Sequence, residues 1–175
     1  MQDPIIVNIK CQHYLICFLI KHYGPMPVKF PAMSDPNRLL GKLIAVAPLN
    51  HVQENYGENT LSVVLPQFRY KDITLYHYLS ERKQKMIENY IHGWFKVVFH
   101  IEMNNYITLG YKRKDSIFLF MDTYEMPEQC FDALLKDYNR YMVTVSKYGE
   151  KKSRNVLNYP TLLSENEPEE ISESL

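Results

Sequence analysis

The pattern of apolar and polar positions changes character once along the chain, near Lys71-Asp72. Before that point, short β-branched runs alternate with helical patterns. Ile5–Lys10 (IIVNIK) reads as a strand. Gln12–Tyr23 reads as a mostly apolar helix, stopped by Gly24 with Pro25 behind it. Met26–Phe30 (MPVKF) is a short extended piece between prolines, which belongs at a sheet edge because proline cannot donate to a ladder. Ser34 is placed as an N-cap, with Pro36 in the first turn, for a helix running to about Val46. Leu39, Leu40, Leu43, Ile44 and Ala47 keep helical spacing there. Asn50–Asn59 is a polar loop, and Thr60–Leu65 (TLSVVL) is a second strand closed by Pro66. Residues 1–70 thus read as a small α/β unit, too small to be comfortable alone, and are expected to pack against the rest of the chain.

The second section, residues 71–154, reads as helical. Leu75–Ile107 has the pattern of a long amphipathic helix, or of two helices broken near Gly93. Met86, Ile87, Tyr90, Ile91, Trp94, Val97, Val98 and Ile101 recur at three- and four-residue steps and are expected to face a core. Val97-Val98-Phe99 could be strand, but length and period favour helix. Gly110 with Lys112, Arg113 and Lys114 forms a hinge, Asp115–Tyr124 a short helix and Glu125-Met126-Pro127 a turn. Pro127 opens a last helix to about Tyr148, where Gly149 can end it. Periodicity is lost beyond Arg154, and residues 155–175 are expected to be a disordered acidic tail. The fold class is therefore α+β: a small N-terminal α/β unit followed by a C-terminal three-helix segment whose last two helices are helix-turn-helix-like.

The last helix carries the most usable signal. At about 100° per residue, Arg140, Lys147 and Lys151 fall about 40°, 20° and 60° from Lys136. Phe131, Leu134, Leu135, Tyr138, Met142 and Val145 lie on the opposite side. Cations displaced along one helical face can track a nucleic-acid backbone and release its counterions. With the preceding helix as support, this would be the reading helix of a helix-turn-helix. Asn139, with Gln129 and Arg140, could reach base edges, since Asn and Gln suit adenine and Arg suits guanine. Lys112, Arg113 and Lys114 would add a backbone clamp. The competing interpretation is an ordinary solvated helix face, and Asp132, Asp137 and Glu150 in the same helix dilute its field.

Charge and composition permit this without demanding it. Lys and Arg total 20 and so do Asp and Glu, but Ser164–Leu175 holds five acids and no base. Without those five, the body carries about +5, far from the strongly basic profile of an obligate nucleic-acid coat protein. The 14 tyrosines suit packing and half-exposed surfaces, and could also close a homodimer or a protein–protein interface. Three cysteines without regular spacing argue against a disulfide framework and fit a reducing cytoplasm. Tyr14–Ile20 falls far short of the roughly 20 residues needed to span a bilayer. A cytoplasmic protein with no membrane role is expected.

Catalytic and metal constellations are weak. Cys11, His13 and Cys17 form a C-x-H-x3-C cluster, but no second pair lies nearby to complete a zinc site. Six singly spread glycines leave no phosphate-cradling loop, and no nucleophile elbow occurs. Asp115, Asp122 and Glu125 have commonplace spacing for a magnesium cluster. The chain is expected to be non-enzymatic, without metal or cofactor.

PVKFPAMSDPNRLL at Pro27–Leu40, YKDITLYHYLS at Tyr70–Ser80 and FDALLKDYNRYM at Phe131–Met142 together resemble small uncharacterised proteins carried by phages and mobile elements of Bacteroides-type bacteria. The likeness spans most of residues 5 to 150. It implies a DNA-binding accessory role and brings no site residues with it. The resulting expectation is non-catalytic DNA binding, with a protein–protein interaction or structural module as the alternative.

Overall fold

The computed structural model describes residues 4–69 and 71–156, with side chains described up to residue 147. In chain order the elements are β1 (Ile6–Lys10), α1 (His13–Tyr23), α2 (Asp35–Leu43), β2 (Ala45–Val46), β3 (Thr60–Val64), β4 (Tyr76–Tyr78), α3 (Glu81–Thr108), α4 (Arg113–Thr123) and α5 (Phe131–Val156). The architecture is α+β, with the strands N-terminal and the longest helices C-terminal.

Alternation along β1 sends Val7 and Ile9 inward, the period-two pattern of a half-buried strand. β1 pairs antiparallel with β3, in register from Ile6↔Val64 to Lys10↔Thr60, and Leu61 and Val63 join its buried face. Val28 bonds to β3 as well: its N–H donates to the Ser62 carbonyl at 2.8 Å, and its carbonyl accepts from the Val64 N–H at 2.9 Å. The MPVKF segment therefore pairs through one residue, as its flanking prolines allow.

The Ser34 hydroxyl accepts the Asn37 N–H and opens α2, with proline in the first turn. The helix stops at Leu43, three residues short of the sequence expectation. Ile44 turns extended (φ −60°, ψ 141°), and Ala45 and Val46 pair with Tyr78 and Tyr76 of β4. Pro48 disfavours helix at the residue before it, and β-branched Ile44 and Val46 suit a strand. Lys71 then caps the helix end, its ammonium donating to the carbonyls of Gly41 at 2.7 Å and Ile44 at 3.2 Å. A cation there is favoured by the helix dipole.

α3 is one continuous helix of 28 residues through Gly93, and the start of the expected span is strand β4 instead. The expected stripe is buried only in part, at Ile87 and Ile91, with Trp94 and Val98 half-buried. Gln84, Ile87, Glu88, Ile91, Phe95, Phe99 and Met103 are buried, whereas Met86, Tyr90, Val97 and Ile101 are exposed, Val97 at 58%. Two apolar faces compete on this helix, and the one carrying two phenylalanines is the one buried. Those rings form a continuous cluster: Phe18 of α1 meets Phe95 edge-on at 5.3 Å, Phe95 stacks on Phe99 at 5.7 Å, and Phe99 meets Phe120 of α4 at 4.8 Å. Such contacts add about 0.5–1.5 kcal/mol each beyond area burial.

α3 ends at Gly110, whose φ of 94° is left-handed, and the Tyr111 N–H reaches back to the Tyr106 carbonyl at 3.1 Å. That bond satisfies a terminal carbonyl and reverses the chain into α4. The same device closes α4, where Glu125 holds φ 52° and the Met126 N–H bonds to the Met121 carbonyl at 2.9 Å. The Tyr124 hydroxyl donates to Glu102 at 2.6 Å and ties α4 to α3; burial, then that carboxylate, raises the phenol above its ordinary range.

Two compact units divide the chain, residues 1–136 and 137–175. The first holds both strand pairs, α1 to α4 and the opening of α5. In the second, the described residues continue α5 to Val156, with the rings of Tyr138 and Tyr141 5.8 Å apart. Residues 155 and 156 of the expected tail belong to α5, and the rest of it lies outside the described residues. Among the described residues no helix is long and apolar enough to cross a membrane.

Candidate functional site

Lys112 is the N-cap of α4, and Arg113 and Lys114 form its first turn; all three are exposed. They sit where helical N–H groups lack intrahelical partners and the dipole is positive, with Asp115 in the same first turn. Lys136, at the end of the first unit, and Arg140 and Lys147, in the second, are exposed on α5. The ammonium groups of Lys112, Lys114, Lys136 and Lys147 and the guanidinium of Arg140 have no ion-pair partner among the described residues. Asn139 is half-buried and Gln129 exposed. The Lys151 side chain lies outside the described residues.

The opposite side of α5 is buried only in part. Leu134 and Tyr138 are buried, Leu135 and Met142 half-buried, and Val145 is 45% exposed. Val143, Thr144, Val145, Ser146 and Lys147 are all exposed, and five consecutive residues sample every side of a helix. The expected division into one buried and one solvated face therefore holds for about the first three turns and ends near Met142. Phe118 of α4 and Phe131 at the start of α5 stack at 4.5 Å across the turn between these helices.

The C-x-H-x3-C residues do not converge. Cys11 is buried at the end of β1, His13 Nδ1 lies 3.0 Å from the Glu58 carbonyl oxygen, and Cys17 is half-buried on α1. Among the described residues no three His, Cys, Asp or Glu side chains are grouped to hold a metal ion.

A cavity that no sequence motif anticipates lies in the first unit, where the end of β1 meets the first turns of α1 and α3. Its volume is about 730 Å³, and Lys10, Arg82, Lys85, Gln84, Glu88 and Tyr56 are among its lining groups. Gln84 organises it. The Gln84 Oε1 accepts the Lys10 N–H at 2.8 Å, while Nε2 donates to the Leu79 carbonyl at 3.1 Å and the Tyr56 hydroxyl at 3.3 Å. The Lys10 ammonium lies 5.8 Å from the Tyr56 ring centroid. Glu88, 8% exposed, is paired through Oε2 with Lys85 one turn away. Cys11 also borders the cavity; burial and then the Glu88 charge push its thiol up to about 12, so it is not a nucleophile at neutral pH. One signal for this cavity was present in the sequence. Gln84 and Glu88 fall in phase with Ile91, Phe95 and Phe99, as polar residues on what becomes the buried face.

No protein-family model, no curated protein and no solved structure matches the chain.

Proposed function

We propose that the protein is a non-catalytic DNA-binding accessory protein that grips phosphate through α5, with the start of α4 as a second contact. The observation that carries this reading is the row of exposed cations on one helical face, Lys136, Arg140 and Lys147, without ion-pair partners among the described residues. Charges left in solvent are available to replace counterions on a phosphate backbone. Lys151 would extend the row, Asn139 would be nearest to base edges, and Lys112, Arg113 and Lys114 would hold the backbone. The resemblance to phage and mobile-element proteins supports the same role. The test is fluorescence anisotropy of a labelled random duplex of about 30 base pairs across a salt series. A log–log slope of about −3 to −4 is expected, at about 0.9 per phosphate neutralised, falling by about 2 in the Lys136→Ala/Arg140→Ala variant. Absence of binding at low salt, or an unchanged slope in the variant, refutes it.

A specific observation favours a second reading, a protein-interaction or homodimeric module. Met86, Tyr90, Val97 and Ile101 are exposed on α3 and fall within an arc of about 60°. Contiguous exposed apolar area marks interaction surfaces. Under this reading sedimentation shows concentration-dependent association that Val97→Lys abolishes, with no affinity for DNA.

A further inference from the structure

We propose that the cavity between the first turns of α1 and α3 binds a small ligand carrying both an anionic phosphate or carboxylate group and an amine or amide hydrogen-bond donor. The volume of about 730 Å³ lies in the range of small-molecule sites. Its lining carries both signs of charge. Its cations include Lys10 and Arg82, both exposed residues, and Arg82 has no ion-pair partner among the described residues. Gln12, the N-cap of α1, and Glu81 and Arg82 in the first turn of α3 border the same space. A planar guanidinium and an ammonium form a donor pair that grips a phosphate or carboxylate.

Glu88 lines the same cavity. A carboxylate in a buried stripe is costly unless compensated, and Lys85 compensates one oxygen only. The Glu88 Oε1 has no protein partner among the described residues and remains an acceptor for a ligand N–H. Gln84 cannot compete for it, because both ends of its amide are committed to Lys10, Leu79 and Tyr56. The groups with spare capacity are thus two cations and one acceptor around a single cavity that Glu81 also lines.

The experiment is an amide-resolved NMR titration of the full chain with inorganic phosphate, adenosine monophosphate and glutamine. The expected result is saturable shifts at Lys10, Gln12, Glu81 and Arg82 with one of the two organic probes, at least about tenfold tighter than inorganic phosphate. Which probe saturates identifies phosphate or carboxylate as the anionic group. Lys10→Met/Arg82→Met, at two exposed positions, is expected to weaken that binding by about tenfold or more. Glu88→Gln is expected to leave inorganic phosphate binding in place and remove the advantage of the organic probe. No saturable shift with any probe at millimolar concentration, shifts mapping elsewhere, or unchanged affinity in the double variant overturns the proposal.

Discussion

Replacing Gln84 by Ala removes a side chain that joins three parts of the first unit. Its Oε1 takes the Lys10 N–H at the end of β1, and its Nε2 serves the Leu79 carbonyl just ahead of α3 and the Tyr56 hydroxyl in the long loop. The bond to Lys10 is short and the one to Leu79 is buried, so each contributes about 1 kcal/mol net, and the longer bond to Tyr56 less. The Lys10 N–H and Leu79 carbonyl are left without these partners, although water in the adjoining cavity can reach them and limits the penalty. The expected loss is about 2–3 kcal/mol, or about 5–10 °C in Tm for a chain of this length. Urea unfolding followed by circular dichroism reads it as a lower midpoint at constant slope. Gln84→Glu sharpens the test. It keeps an acceptor for Lys10 but sets a carboxylate against the Leu79 carbonyl and one turn from Glu88. Its folded-state pKa is therefore raised above the unfolded value, so its deficit relative to wild type is small below about pH 4 and grows as pH rises through the folded pKa. A Gln84→Ala variant within about 0.5 kcal/mol of wild type refutes the reasoning.

Two glycines in helices should respond oppositely to alanine. Gly93→Ala in α3 meets nothing within 4 Å and is expected to stabilise by about 1 kcal/mol through helix propensity. Gly41→Ala in α2 places its Cβ 2.5 Å from the Phe68 ring, and is expected to cost about 1 kcal/mol or more despite the same gain; thermal melts of the two variants decide. The Cys11 thiol, held neutral up to about 12 against an ordinary 9.0, contributes stability that is complete below pH 9 and is lost as pH rises towards 12. Wild type should therefore lose stability more steeply over that window than Cys11→Ala, and parallel curves in urea titrations at stepped pH contradict it.

Much of the fold was legible because its signals are local. Alternation and β-branched content marked β1 and β3, Ser34 and Pro36 marked the start of α2, and Gly110 and Pro127 marked the ends around α4. Each depends on backbone sterics or on hydrogen-bonding groups a few residues apart. The end of α2 was misread because Leu39, Leu40 and Leu43 kept helical spacing up to Ile44, and β2 exists only through β4, some 30 residues on. On α3 the sequence offered two apolar faces. Which one was buried depended on where Phe18 and Phe120 stood, and that is settled by α1 and α4 rather than by α3 itself.

The candidate sites divide in the same way. A row of cations on α5 follows from helical period alone, so Lys136, Arg140 and Lys147 could be placed together from spacing. The cavity could not, because it joins Lys10, Tyr56 and Gln84, which are far apart in the chain and meet through side-chain bonds. By itself the sequence determined where the chain could be helix or strand and which residues share a helical face, since these follow from covalent geometry. Only the tertiary structure decided which face is buried and which distant polar groups border one space, because those depend on the competition of all surfaces for a single core.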